Sequence, residues 1–150
     1  MGNIFHEDFR DFINALNECN VEYMVIGGYA VVLHGYSRNT GDLDFWVNKT
    51  STNYQKLKLA FAKFRMPVFD MTEENFLFNP KLDVFTFGRP PVSIDILTKV
   101  KGLNFDECAP KATEMNVEDL IVRVIDFRDL IRAKRESGRS KDMDDLENLQ

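Results

Sequence analysis

Val25-Ile26-Gly27-Gly28-Tyr29-Ala30, followed by Arg38-Asn39-Thr40-Gly41-Asp42-Leu43-Asp44-Phe45, is the stretch that decides how this chain folds. Val21 to Ile26 is short, apolar and partly β-branched, and lies between Asn20 and Gly27, which reads as a buried strand. Gly28 to His34 reads as a short helix that Gly35 stops. Two glycines between strand and helix let the backbone turn tightly and let a ligand approach the main chain. The unpaired N–H groups of the following helix favour an anion, phosphate above all. A plain structural turn would use the same two residues. Leu43 to Val47 then reads as a second strand. Residues two apart on a strand share a side, so Asp42 and Asp44 project together while Leu43 turns into the core.

Ile4-Phe5, Phe9, Phe12-Ile13 and Leu16 recur at three and four residues, the pattern of an amphipathic first helix. Ser51 to Phe64 has caps available at Thr50 to Thr52 and apolar Leu57, Leu59, Phe61 and Phe64, a long helix that Met66-Pro67 ends. Thr72-Glu73-Glu74-Asn75 caps a single turn. Leu82 to Phe87 and Val92 to Leu97 are strands, and Gly88-Arg89-Pro90-Pro91 between them makes the pair an antiparallel hairpin. Ala112 to Asn116 and Leu120 to Val124 read as short strands or extended segments. Asp126 and Asp129 open a helix to about Glu136, with Gly138 as its stop, and Lys141 to Leu149 is a last helix. The order predicts an α/β (α+β) domain with a mixed sheet of about four to six strands flanked by helices. Residues 1–150 form a single domain: residues 1–97 are its core, and residues 98–150 are mixed and helical.

Composition supports one folded unit. The 150 residues are 44% hydrophobic and 29% charged, and a chain of that length buries a real core without staples. Cys19 and Cys108 are far apart and match no metal-ligand spacing, which predicts two buried or half-buried free thiols and a cytoplasmic setting. The longest apolar stretch, Tyr23 to Leu33, is about half of the ~20 residues a membrane span needs. The acidic start of the chain is unlike a signal peptide. A net charge of −5 argues against a general nucleic-acid coat protein, whose affinity comes from basic neutralisation of phosphates. Residues 1–50 hold only Arg10, Arg38 and Lys49 as basic side chains, while the C-terminal third mixes both signs as solvated helix faces do.

Asp95 lies mid-strand between Ile94 and Ile96, where a carboxylate is costly to bury unless paired. If it stands beside Asp42 and Asp44, three carboxylates converge, and a divalent cation relieves their repulsion. Oxygen ligands suit Mg²⁺, which completes its shell with water and substrate phosphate. Two Mg²⁺ ions held this way can clamp a nucleoside triphosphate (NTP) and an acceptor hydroxyl in line.

Together, the Gly-Gly-x-Ala turn, His34-Gly35, and the Arg-x-Thr-x-Asp-x-Asp run of residues 38–44 resemble the signature of the DNA-polymerase-β-like nucleotidyltransferases. The resemblance is strongest to the small prokaryotic branch of minimal nucleotidyltransferases and AbiEii-type toxins. Asp129-Leu130-Ile131, Lys134 and Gly138-Arg139-Ser140-Lys141-Asp142 are similar to the C-terminal motif of the AbiEii-type branch. The resemblance implies a nucleotidyltransferase fold, with Asp42, Asp44 and Asp95 catalytic and metal-binding and Asp95 also assisting deprotonation of the acceptor. Many members carry Gly-Ser in the turn, and here Gly28 and Tyr29 follow Gly27, so that hydroxyl contact to phosphate is missing.

Around this centre, Gly27, Gly28, Arg38, Thr40, Lys134 and Lys141 are the candidate nucleotide and phosphate contacts. Arg38 suits bidentate phosphate binding but also suits a plain ion pair. Lys134 is expected on a helix whose other face carries Leu130 and Ile131, as a triphosphate ligand by resemblance or as a solvated lysine. Asp142 fits a helix start electrostatically without any function. His34, Tyr36 and Trp46 are expected to pack. The resemblance implies Mg²⁺-dependent transfer of a nucleoside monophosphate from an NTP to an acceptor on tRNA, protein or a small molecule. The alternatives are a non-catalytic binding module of the same fold and the toxin of a toxin-antitoxin pair, with an antitoxin or second subunit as partner.

Overall fold

The computed structural model describes residues 5–36, 41–89 and 92–138. Four of the described helices start where a short polar side chain caps them. Thr50 accepts from the Asn53 N–H, Thr72 from Asn75, Asn104 from Glu107 and Asp126 from Arg128. In chain order the elements are α1 (Glu7–Glu18), β1 (Tyr23–Ile26), α2 (Gly27–Leu33), β2 (Asp42–Val47), α3 (Ser51–Lys63), α4 (Glu73–Phe78), β3 (Val84–Arg89), β4 (Val92–Leu97), α5 (Phe105–Cys108), β5 (Thr113–Val117), β6 (Leu120–Val124) and α6 (Phe127–Ser137). A single 3₁₀ turn, Ala109–Lys111, follows α5.

The six strands form one sheet in the order β3-β4-β2-β1-β6-β5. It is mixed, as expected: β2 pairs with β4 and β1 with β6 in parallel, and the other neighbours are antiparallel. The expected antiparallel pairing of β3 with β4 runs from Val84 opposite Leu97 to Arg89 opposite Val92. Leu43, Phe45 and Val47 are buried on one face of β2, where Phe45 meets Phe12 of α1 and Phe12 meets Phe61 of α3. On the other face Trp46 packs edge-on against Phe105 of α5.

The helices differ from the sequence reading at a few points. Leu59 is 61% exposed, because the buried stripe of α3 runs through Leu57, Ala60 and Phe61 and leaves position 59 on the outside. The expected single turn after Thr72 extends to six residues, and α5 with its 3₁₀ turn fills a segment in which no element was expected. β5 and β6 form a hairpin whose two linking residues, Glu118 and Asp119, have φ of 53° and 69°. That turn normally uses Asn-Gly. Here Arg10 of α1 donates to the carbonyls of Val117 and Glu118 and to the Glu118 carboxylate, and the Asp119 N–H donates to Asn116. The expected helix at Lys141 to Leu149 lies outside the described residues.

Candidate active site

One row across the sheet carries the site. Ile26 on β1 stands opposite Asp44 on β2, Asp44 opposite Asp95 on β4, and Asp95 opposite Thr86 on β3. Residues in register on neighbouring strands share a face, so Asp44 and Asp95 project from the same side of strands about 4.8 Å apart. The next row places Asp42 opposite Ser93. The sheet thus places the three carboxylates that the sequence singled out on one face, Asp44 and Asp95 in one row and Asp42 in the next. Two of them are held by hydroxyls from the adjacent strand. Thr86 Oγ1 donates to Asp95 Oδ1 at 2.7 Å, and Ser93 Oγ donates to Asp42 Oδ1.

Gly27 begins α2 at the end of β1 with φ of 71°, a left-handed conformation that favours glycine. A Cβ on Gly27 would lie 2.3 Å from Asp44 Oδ2. The glycine therefore serves two ends: it makes the strand-to-helix turn and it leaves room for the Asp44 carboxylate against the backbone. No side chain caps the N-terminus of α2.

Beside Asp44 opens a cavity of about 240 Å³, walled by Gly27, Leu97, Lys99, Lys101, Leu130 and Lys134, among others. Lys134 is only 3% exposed and shares the buried face of α6 with Leu130, four residues earlier. This corrects the expectation that Leu130 occupies the opposite face: positions four apart on a helix lie on one side. The first turn of α6 is tied down by Asp129, whose side chain is 2% exposed and accepts from Lys111 Nζ at 3.0 Å. That hydrogen bond raises the Lys111 pKa above its ordinary value. The neighbouring Cys108 thiol is pushed up to about 11 by burial and then by the Asp129 charge. Both cysteines are free, Cys108 buried and Cys19 partly so, as expected.

Gly28 lies buried within α2. Arg38, Thr40 and Lys141 lie outside the described residues. His34 and Tyr36 pack as expected: His34 Nε2 is 2.8 Å from the Ile125 carbonyl, and both rings meet Phe127. The sequence reading missed Ser93, Thr86, Lys99 and Lys101. Lys99 and Lys101 lie in the loop just beyond the end of β4 at Leu97, where strand alternation no longer places a side chain. Thr86 had no signal, because only the β3–β4 register puts it beside Asp95.

Oxygen donors on one face of a sheet have the chemistry that a hard divalent cation takes. Among the described residues, however, no group of three or more acids, histidines or cysteines is gathered tightly enough to hold a metal ion by itself. Mg²⁺ commonly takes one or two protein carboxylates and fills its shell with water and phosphate, so the donor set fits it without a closed protein cage. No helix among the described residues is long and apolar enough to cross a membrane.

The six-stranded mixed sheet flanked by helices is a fold shared with nucleotidyltransferases. Residues 5–150 match the family model described as nucleotidyl transferase of unknown function (DUF2204), and the chain belongs to that family. Among solved structures it is similar to the antibiotic-resistance factor ANT(2'')-Ia, with TM-score 0.61, 11% identity, and coverage of 95% of this chain and 80% of that one. It is similar to the lincosamide antibiotic adenylyltransferase LnuA, solved with lincomycin bound, with TM-score 0.55, 16% identity, and coverage of 99% and 98%. It is also similar to an antigenic nucleotidyltransferase-like protein from Paracoccidioides brasiliensis, with TM-score 0.56, 15% identity, and coverage of 95% and 74%. No curated protein matches the chain by sequence. The chain is a nucleotidyltransferase of the polymerase-β-like fold, in family and in architecture.

Proposed function

We propose that this nucleotidyltransferase moves a nucleoside monophosphate from an NTP to an acceptor hydroxyl, with Asp42, Asp44 and Asp95 as the catalytic and metal-binding carboxylates. The observation that carries the reading is the register of Asp44 opposite Asp95, with Asp42 two residues away on the same face. The cavity beside Asp44, with Gly27 and Lys134 in its wall, supplies a place for phosphates. Bound at these carboxylates, Mg²⁺ (two ions in this reading) neutralises phosphate charge and makes the acceptor hydroxyl more acidic.

In the reaction the acceptor oxygen bonds to the α-phosphorus, the α–β phosphoanhydride bond breaks, and pyrophosphate leaves. Asp95 takes the acceptor proton. Lys134 offsets the charge that develops on the departing pyrophosphate, and the open Gly27 backbone lets the phosphates come close. Arg38, Thr40, Gly28 and Lys141 complete the phosphate contacts in this reading. The protein's contribution is positioning and fixed charge more than bond chemistry.

Purified protein, labelled NTPs, Mg²⁺ and cell extract should label an acceptor, and Asp44→Asn should abolish the labelling. Labelling that survives Asp44→Asn overturns the mechanism. The size of the labelled product separates tRNA, protein and small-molecule acceptors. One of the similar structures is an antibiotic-resistance factor and another a lincosamide antibiotic adenylyltransferase, which supports the small-molecule acceptor first.

A second reading is a module of the same fold that binds nucleotide without turnover, which the cavity beside Asp44 serves equally. Calorimetric NTP binding with no labelled product would establish it. The AbiEii-like prokaryotic branch, and with it a toxin role with an antitoxin or second subunit, rests on the resemblance of residues 25–45 and 129–142, and the cytoplasmic setting rests on the two free thiols. Growth arrest on expression, relieved by Asp44→Asn, tests the toxin role.

A further inference from the structure

We infer that Thr86 is a positioning residue: its hydroxyl sets the Asp95 carboxylate for metal binding and for taking the acceptor proton. The inference rests on the proposed role of Asp95 and adds a residue from a strand that carries no acid of the site. Thr86 Oγ1 donates to Asp95 Oδ1 at 2.7 Å, a normal charge-assisted length, across the antiparallel pair of β3 and β4. Asp95 needs such a hold. Its neighbour in register on the other side is Asp44, a like charge about one strand spacing away. Repulsion from Asp44 pushes the Asp95 carboxylate toward β3, and Thr86 is the residue on β3 opposite it.

A hydroxyl engages one carboxylate oxygen and fixes the plane of the group without adding charge. That leaves the charge of Asp95 available to a cation and makes one oxygen the defined proton acceptor. Ser93 plays the same part for Asp42, one row away. The pattern is hydroxyl, carboxylate, carboxylate along the central row and carboxylate, hydroxyl along the next. Thr86 itself is exposed, so its substitution removes the hydrogen bond without opening the core.

Thr86→Val keeps the shape and the β-branching of the side chain and deletes the donor, and Thr86→Ser restores it. Mn²⁺ alone, titrated onto the full chain and followed by the loss of its free spin-resonance signal, reads the site without any need to know the acceptor or the NTP. Relative to wild type, Asp95→Asn and Thr86→Val should both weaken Mn²⁺ binding, Thr86→Val by about 10- to 100-fold, with Thr86→Ser restoring it to within a few-fold. In the transfer assay Thr86→Val should lower kcat and leave KM for the NTP within about two-fold, because Asp95 acts on the acceptor side. Unchanged Mn²⁺ binding and kcat in Thr86→Val, with both lost in Asp95→Asn, would overturn the role of Thr86 and leave that of Asp95 intact. Full Mn²⁺ binding and activity in Asp95→Asn would overturn the proposed site itself. A urea midpoint for each variant keeps folding separate from function.

Discussion

Replacing Gly27 by alanine tests the close approach at the centre of the site. Two effects act on Gly27→Ala. The residue has φ of 71°, where an L side chain costs about 1–2 kcal/mol. The new Cβ would also sit 2.3 Å from Asp44 Oδ2, with Asp44 Cγ at 3.2 Å and Cβ at 3.4 Å. Only the end of the Asp44 side chain must therefore move, and holding it off its rotamer costs about 0.5–1.5 kcal/mol. The sum is about 1.5–3.5 kcal/mol. In an Asp44→Ala background the second effect vanishes, because the atom left at position 44 stands 3.4 Å away in ordinary contact. Urea unfolding of the wild type, both single variants and the double variant should show a coupling of about 0.5–1.5 kcal/mol between the two sites. Transfer by Gly27→Ala should fall by about 100-fold, as a displaced catalytic group does. Equal destabilisation by Gly27→Ala in both backgrounds would refute the argument, since no shared contact would then exist.

Two further outcomes follow from the same geometry. Asp119→Gly should raise stability by about 1 kcal/mol, because glycine takes the φ of 69° without steric cost and keeps the N–H that Asn116 accepts; an unchanged or lower urea midpoint would count against the strained-turn reading. Stability should fall on the alkaline side, because burial raises Cys108 from 9.0 to about 11 and Tyr23 from 10.0 to about 12. The folded state then holds protons that the unfolded chain releases, so the contribution is full below about pH 9 and lost through about pH 12. Tyr23→Phe should flatten the upper part of that decline, worth about 2–3 kcal/mol, and an unchanged slope from pH 11 to 12, above the Cys108 range, would exclude Tyr23 as its source.

Local chemistry made much of the site legible in the sequence, and non-local pairing hid the rest. Asp42 and Asp44 stood out because they alternate with Leu43, and Asp95 because isoleucines flank it. That Asp44 and Asp95 stand side by side required β2 to lie between β1 and β4 and to run parallel to β4, an arrangement set by the whole sheet. Thr86 is an ordinary strand residue until that register is known. The β5–β6 hairpin reads from sequence only as short strands or extended segments, because Glu118-Asp119 lacks the glycine that such a turn normally carries. The residue that holds it, Arg10, is 108 positions from Glu118 in sequence. The buried side of α6 was misread because Leu130 and Lys134 were set on opposite faces, although their spacing of four places them on the same one.

The acidic balance of the chain and an anionic substrate are compatible once charge is counted locally. A net charge of −5 is spread over the whole surface, whereas exposed charges act over about 10 Å before salt screens them. Within that reach of the cavity beside Asp44 stand Lys99, Lys101 and Lys134, all in its wall. The cavity's volume of about 240 Å³ is below the ~300–1,000 Å³ of pockets that enclose a whole small molecule. Its walls join three lysines to an apolar strip of Ile26, Leu97 and Leu130. In the proposed reading this space takes the phosphate end of the NTP and leaves the nucleoside outside it. The choice among NTPs then falls to groups beyond the lysines. In the same reading the lysines set affinity for the triphosphate, and Asp95, held by Thr86 on the β3 side, meets the acceptor.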